Sequence, residues 1–449
     1  MDCTRPDHLS CYSYEKPTSP TLDRLASEGV AFQNAFSSAV WTLESIASLY
    51  TGLYPSQHGV NIVHQALSPK AAILTTFLQD SGYETAAFTP GSWHGRAFGY
   101  ARGFDRFRET YRRFSWLNRL FPRETVVEKV WRHVGFQYDK GARNITRAAV
   151  KWLRTRDRQR PFFGVVHYVD PHLPYRLPDS FSTRFLPSDV SMERAQSVNQ
   201  DAYKYMAHEV QMSEEDFAIL SAIYDGSILY TDSRIGELIA QLERNGELDD
   251  TLVIVLADHG ENLGEHGLMD HQYSVHDTLT RIPLIMRLPG TFPRGVREMK
   301  LVQNIDLFPT VTELLGVEAS ELQPCTLGKS VLKHEGHAFV ISEYLTPVFK
   351  RFEFAHRDFD TSEYDRQLRT LRDENYKLIF SSDGAHELYH IFTDPHEQVN
   401  LIASRPQVAN EMMARLQQWE RTLLLPQWEG VTASIDGEVE QRLRDLGYL

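Results

Sequence analysis

The run TLVIVLADHGENLGEHG, from Thr251 to Gly267, constrains this chain more than any other stretch. Its opening residues are almost continuously apolar and β-branched, and too few for a core helix, so they predict a strand buried on both faces of a sheet. The apolar pattern then breaks into Asp258, His259 and glycine. Sheets flanked by helices gather their sites just beyond the carboxyl ends of strands. An adjacent carboxylate and imidazole there offer an oxygen and a nitrogen donor to a metal ion. Taken alone, the pair is better explained by a turn at Asp258 and a packed His259.

Similar runs recur. Phe162–Val169 and Ile282–Pro289 read as strands, and Pro20–Glu28, Leu43–Tyr50, Ala142–Thr155 and Glu214–Arg244 carry helical periodicity. Strands alternating with helices predict an α/β fold: a doubly wound, mostly parallel sheet with helices on both faces. From about Leu332 the runs His337–Ser342, Tyr376–Ser381 and Glu387–Phe392 follow in quick succession, and a Leu- and Trp-rich helix spans Gln407–Leu424. These predict a catalytic α/β domain over 1–331 and a smaller C-terminal α+β domain with an antiparallel sheet over 332–449.

The 449 residues suffice for two or three domains, and 42% hydrophobic with 24% charged residues excludes a disordered or fibrous chain. With 47 basic against 60 acidic residues the net charge is −13, so nucleic acid is not an expected partner. Cys3, Cys11 and Cys325 form neither a disulfide framework nor a zinc spacing. No signal peptide or membrane-length apolar run is present, and localisation is left open. One segment departs from the acidic average. Between Arg106 and Arg132 eight basic residues face three acids, with aromatic residues interleaved. Near Arg112 this suits a lid over an anionic substrate or a peripheral membrane or lipid contact. A helical insertion with one apolar face is the favoured reading.

The motifs D-x-x-R-x-D-x-L-x-C-Y, SPTLDRLASEGVAF, TGLYPSQHGV, VDPHLPY, YDGSILYTD, ADHGENLGEHG, DLFPTVTELLGV, ELYHIFTDPHEQVNL and RLRDLGYL follow one another over the whole chain. In that order they resemble the sulfatase family of the alkaline-phosphatase superfamily. The resemblance implies a site for one divalent metal ion, with calcium, manganese, magnesium and zinc all fitting. Its ligands would be Asp2, Asp258 and His259, with the nucleophile as the fourth.

In the family that nucleophile is the Cys or Ser of a C/S-x-P-x-R motif, oxidised to formylglycine. Here the position falls on Thr42, the proline on Glu44 and the arginine on Ile46. A threonine β-carbon carries a methyl group, so oxidation stops at a ketone and no formylglycine is expected. Thr42 can instead act as an alkoxide, its pKa lowered by a cation and a helix N-terminus. Threonine at this position in related phosphotransferases favours a phosphate over a sulfate ester. Thr42 would equally serve as the N-cap of its helix, and the two roles are compatible.

The resemblance assigns His172, in DPHLPY, to a substrate oxygen or the leaving group. His271 stands where many members place a sulfate-contacting lysine. As a charged donor it would act only while protonated. Arg5 pairs with Asp7 or Asp2, or reaches a substrate oxyanion. His266 is assigned a supporting role, and Asp225 and Asp232, on one helix face, are read as ordinary helix surface or tertiary hydrogen bonders. In the family a strand precedes Asp2, whereas only Met1 does here, so a frayed and poorly preorganised ligand is expected. The leading reading is a metal-dependent hydrolase of an anionic phosphate or sulfate ester. A transferase to a lipid or sugar hydroxyl and a non-catalytic binding protein are the alternatives.

Overall fold

The computed structural model describes residues 1–110, 139–175, 177–333, 335–347, 360–426, 428 and 430–445. Most of the basic aromatic segment around Arg112 lies outside them. The strands, in chain order, begin with β1 (Val30–Phe36), β2 (Glu84–Thr89), β3 (Arg106–Glu109), β4 (Phe162–Val166) and β5 (Val253–Leu256). They continue with β6 (Asn262–Leu263), β7 (Met269–Asp270), β8 (Arg281–Ile282), β9 (Leu284–Arg287) and β10 (Val296–Gln303). The helices that matter for the site are α1 (Pro20–Glu28), α2 (Thr42–Thr51), α3 (Ala142–Thr155) and α4 (Glu214–Asn245).

β2 pairs in parallel with β3 and with β4, and β1 in parallel with β10. β9 runs antiparallel between β1 and β5. Successive residues of β2 face opposite sides, as the pleat requires. Ala86 and Phe88 join a core with α1, α3 and α4, whereas Ala87 joins one with α2. Helices therefore cover both faces. Helix α4 starts on a reciprocal cap, in which the Ser213 hydroxyl accepts from Asp216 N–H and the Asp216 carboxylate accepts from Ser213 N–H. It stops at Gly246, whose φ of 72° suits a left-handed helix end.

The sheet is split between β4 and β5, each the last strand of its own ladder. Met1 and Asp2 bridge their carboxyl ends. The Met1 amino group donates to Leu256 O (2.9 Å), Asp2 N–H donates to Tyr168 O (2.9 Å), and Asp258 N–H donates to Met1 O (3.3 Å). Two corrections to the sequence reading follow. Asp2 is buried and pinned from both sides rather than frayed. β4 and β5, expected to be buried on both faces, are mostly half-buried because among the described residues no strand lies between them.

The C-terminal part is an antiparallel sheet of β11 (Val340–Tyr344), β12 (Leu368–Arg372), β13 (Tyr376–Ser381) and β14 (Glu387–His390). Helix α5 (Pro406–Thr422) lays Ala409, Met412, Leu416 and Trp419 onto Ile341, Leu371, Leu378 and Leu388. No helix of the described residues is long and apolar enough to cross a membrane.

Candidate active site

The carboxyl ends of β2, β4 and β5 converge with the first turn of α2. Trp41 is the N-cap of that helix, with extended backbone and no side-chain cap bond. Thr42 is thus the first helical residue and does not serve as the cap. Its hydroxyl turns instead to a cluster in which Asp2, Asp258 and His259 gather their donor atoms within 4.8 Å of one another. Thr42 Oγ1 is 3.5 Å from both oxygens of Asp2 and 3.4 Å from His259 Nε2. His259 Nε2 is 3.4 Å from Asp2 Oδ1 and 3.7 Å from Asp258 Oδ2.

These separations are long for hydrogen bonds, which prefer about 2.7–3.2 Å. They match the edges of a coordination shell, since ligands about 2.0–2.2 Å from a four-coordinate ion lie roughly 3.3–3.6 Å apart. Asp258 Oδ2 is buried with no hydrogen-bond partner. The His259 Nδ1–H donates to Gly260 O at 2.9 Å, which leaves the Nε2 lone pair facing the cluster. Two carboxylates, one imidazole and a hydroxyl suit a hard or borderline divalent cation.

Ser45, one turn further along α2, holds the backbone in place. Its hydroxyl donates to Asp258 O at 2.7 Å and accepts from Asn304 Nδ2 at 3.1 Å. Arg5 takes the pairing with Asp7 from among its alternatives, through two bonds of 3.0 and 2.7 Å. It adds Glu265 Oε1 at 2.6 Å and Glu261 O at 3.2 Å. Asp225 and Asp232 take the second of their two expected roles, as buried tertiary hydrogen bonders. Asp225 receives His8, Tyr14 and Lys16, and Asp232 accepts the backbone N–H groups of Thr21 and Leu22. His266 stacks on His276 with ring centroids 3.7 Å apart.

His172 and His271 meet beside the first cluster. Their Nε2 atoms are 3.1 Å apart, and the His271 ring lies 4.5 Å from that of His259. Burial pushes the His172 imidazole well below its ordinary pKa. Burial also raises the neighbouring Asp170 carboxyl to about 7, and neither of its oxygens has a hydrogen-bond partner.

The sequence reading missed His94 and His167, which stand just past β2 and β4. His94 Nε2 meets Tyr50 OH at 3.0 Å, and the two Nδ1 atoms are 3.2 Å apart. His167 Nε2 lies 3.9 Å from Asp258 Oδ2. Burial lowers His94 to about 3, so its ring is neutral at ordinary pH. Their positions at the carboxyl ends of strands were the available signal. Glu261 was missed as well. Its carboxylate is held by Tyr175 OH at 2.8 Å and Leu173 N–H at 3.1 Å.

The fold is a doubly wound sheet with a cluster of candidate metal-donor side chains at its strand ends. The sulfatase family model matches residues 1–317, and the C-terminal model of N-sulphoglucosamine sulphohydrolase matches residues 264–422. The chain belongs to the sulfatase family of the alkaline-phosphatase superfamily, a family of ester hydrolases. It is 25% identical to an N-acetylglucosamine-6-O-sulfatase of Bacteroides thetaiotaomicron, over 92% of this chain and 83% of that one. It is 27% identical to a multifunctional alkaline phosphatase superfamily protein of Trinickia caryophylli, over 85% of each. Its fold matches the crystal structure of a phosphonate monoester hydrolase of Agrobacterium radiobacter with a TM-score of 0.72, at 21% identity over 94% of both chains.

Proposed function

We propose that this protein is a metal-dependent hydrolase of phosphoesters in which Thr42 is the nucleophile. The supporting observation is the Thr42 hydroxyl itself, excused from capping and placed 3.4–3.5 Å from Asp2 and His259 at the first turn of α2. Asp2, Asp258 and His259 would hold the cation, with Thr42 completing the set. The bound ion supplies Lewis-acid charge that lowers the hydroxyl pKa and neutralises a nonbridging oxygen. The N-terminus of α2 adds its partial positive charge at the same point.

Thr42 Oγ attacks phosphorus in line, the P–O bond to the leaving group breaks, and a phosphothreonine remains. Water then cleaves it and restores the hydroxyl. His172 and His271 stand where they can contact the ester's other oxygens. Sulfate esters are the competing substrate; an N-acetylglucosamine-6-O-sulfatase is among the relatives and a phosphonate monoester hydrolase among the structural neighbours.

The test is the initial rate on nitrophenyl phosphate, a nitrophenyl phosphodiester and nitrophenyl sulfate, for the protein and for Thr42→Ala. Phosphoester turnover that disappears in the variant supports the reading. Sulfate turnover that survives the substitution overturns it.

A further inference from the structure

We propose that helix α3 and the neighbouring strand β3 form a basic docking surface for an anionic lipid bilayer. The surface lies outside the catalytic cluster, and the inference holds whichever ester the site cleaves.

The helix carries Arg143, Arg147 and Lys151 four residues apart, and all three are exposed. Residues at that spacing share one face and follow one another at about 6 Å. The opposite face buries Ile145, Ala148, Ala149, Trp152 and Leu153. No acidic residue occurs between Ala142 and Thr155, in a chain whose net charge is −13. The stripe is therefore not neutralised from within its own helix.

Strand β3 extends it. Arg106 and Arg108 are exposed and stand in register with Ala86 and Phe88 of β2. Ala86 and Phe88 face the core that α3 covers, whereas Phe107, between the two arginines, packs on the α2 side. Side chains alternate along a strand, so both arginines emerge on the α3 side of the sheet. Glu109 emerges on the other side, where it accepts the Arg96 N–H at 2.7 Å. Gly141, the N-cap of α3, abuts the end of β3: a β-carbon there would lie 4.0 Å from the Thr110 hydroxyl. From that point α3 runs back along the sheet, because β3 and β4 are both parallel to β2. The helical and strand rows of cations consequently lie side by side.

All five charged groups are free of ion pairs and hydrogen bonds among the described residues. Arg154 and Arg156, further along, are instead engaged by Gln241 and Glu247. Asp139, just ahead of the helix, is occupied by the Gly141 and Arg143 N–H groups and by Tyr230 OH. A row of solvated cations on an open face suits a partner whose negative charge is spread over a plane. Single-stranded nucleic acid is held on exposed aromatic platforms. The aromatic residue of α3, Trp152, points inward and donates to Glu84 at 2.6 Å. Each Lys or Arg close to an anionic bilayer strengthens binding about fivefold, so five together supply about three orders of magnitude. The face also adjoins the site. Lys140, next to Gly141, donates to the His172 and Leu173 carbonyls at 2.7 and 2.9 Å. A docked protein would present the His172 loop beside the lipid head groups.

The test is co-sedimentation of the full chain with vesicles of phosphatidylcholine alone and of phosphatidylcholine mixed equally with phosphatidylglycerol. The protein is expected to pellet with the anionic vesicles only, and to be released as salt shortens the Debye length to about 3 Å at 1 M. The triple variant Arg143→Gln, Arg147→Gln, Lys151→Gln should bind about 100-fold more weakly, and Arg106→Gln with Arg108→Gln about 25-fold. Both should keep the melting temperature of the unaltered protein. The β3 pair leaves the helix untouched and decides the matter if the triple variant misfolds. Exchanging charge for charge, with Arg143→Lys, Arg147→Lys and Lys151→Arg, should retain binding. No binding to either vesicle overturns the proposal, as does equal binding to both. Unchanged binding in both glutamine variants overturns it too. Capture by soluble dextran sulfate without vesicle binding assigns the surface to a polyanionic chain and likewise overturns it.

Discussion

Thr42 Oγ1 lies 3.4 Å from His259 Nε2, across a sequence separation of 217 residues. The hydroxyl is not a cap, and the imidazole is oriented by its Nδ1 bond to Gly260 O. Thr42→Ser keeps the hydroxyl and is expected to retain turnover, whereas Thr42→Ala should lose about 10³-fold or more in kcat. Quenched-flow trapping of a phosphorylated chain checks the assignment. A label found on another residue refutes it.

Ser45 governs the same site from behind. Its hydroxyl joins Asp258 O and Asn304 in a buried network, so Ser45→Ala leaves Asn304 short of a partner. The expected loss is about 1–3 kcal/mol of stability, with weaker cation affinity. Urea unfolding and metal titration measure the two effects. A variant with unchanged melting and no turnover would make Ser45 the nucleophile instead.

Arg5 is a brace between the opening segment and the Glu261–Glu265 turn. Breaking such a buried pairing costs about 3 kcal/mol, discounted because the Asp7 side chain is 45% exposed. Arg5→Ala should therefore lower stability by roughly 2 kcal/mol, and Arg5→Lys should recover little of it, because an ammonium cannot reproduce the fork. Steady-state kinetics separate this from substrate binding. An intact melting curve with a raised KM would return Arg5 to the substrate.

Burial lowers His58 to about 3, and its ring accepts from Val60 N–H and meets Ser48 Oγ. The unfolded chain takes up this proton near pH 6.5, whereas the folded chain resists until about pH 3. The neutral ring thus contributes stability that is complete above 6.5 and is lost as the pH falls between those values. His58→Gln should flatten that part of the stability–pH curve. Equal slopes in the protein and the variant, from denaturant unfolding at pH 4 to 7, would show that His58 carries no such linkage.

Helices α1 and α3 were legible residue for residue in the sequence, and α2 and α4 to within a residue or two, because their apolar periodicity is local. Strand β13 was equally plain, whereas β12, with the sequence LRTLR, was not anticipated. Its burial comes from β11 and β13 pairing on either side, which no local pattern records.

For the site, the motif order and the Asp-His pair after β5 pointed to Asp2, Thr42, Asp258, His259, His172 and His271, and the fold brings all six near one another. Residue types are legible in the sequence: a threonine stands where the resemblance places an oxidisable cysteine, and a histidine where it places a lysine. Distances and burial belong to the tertiary structure. Folding alone placed His94 and His167 behind Asp258 and turned Arg5 toward Asp7 and Glu265. Contacts across two hundred residues depend on how strands and helices close, and a one-dimensional pattern holds no record of that closure.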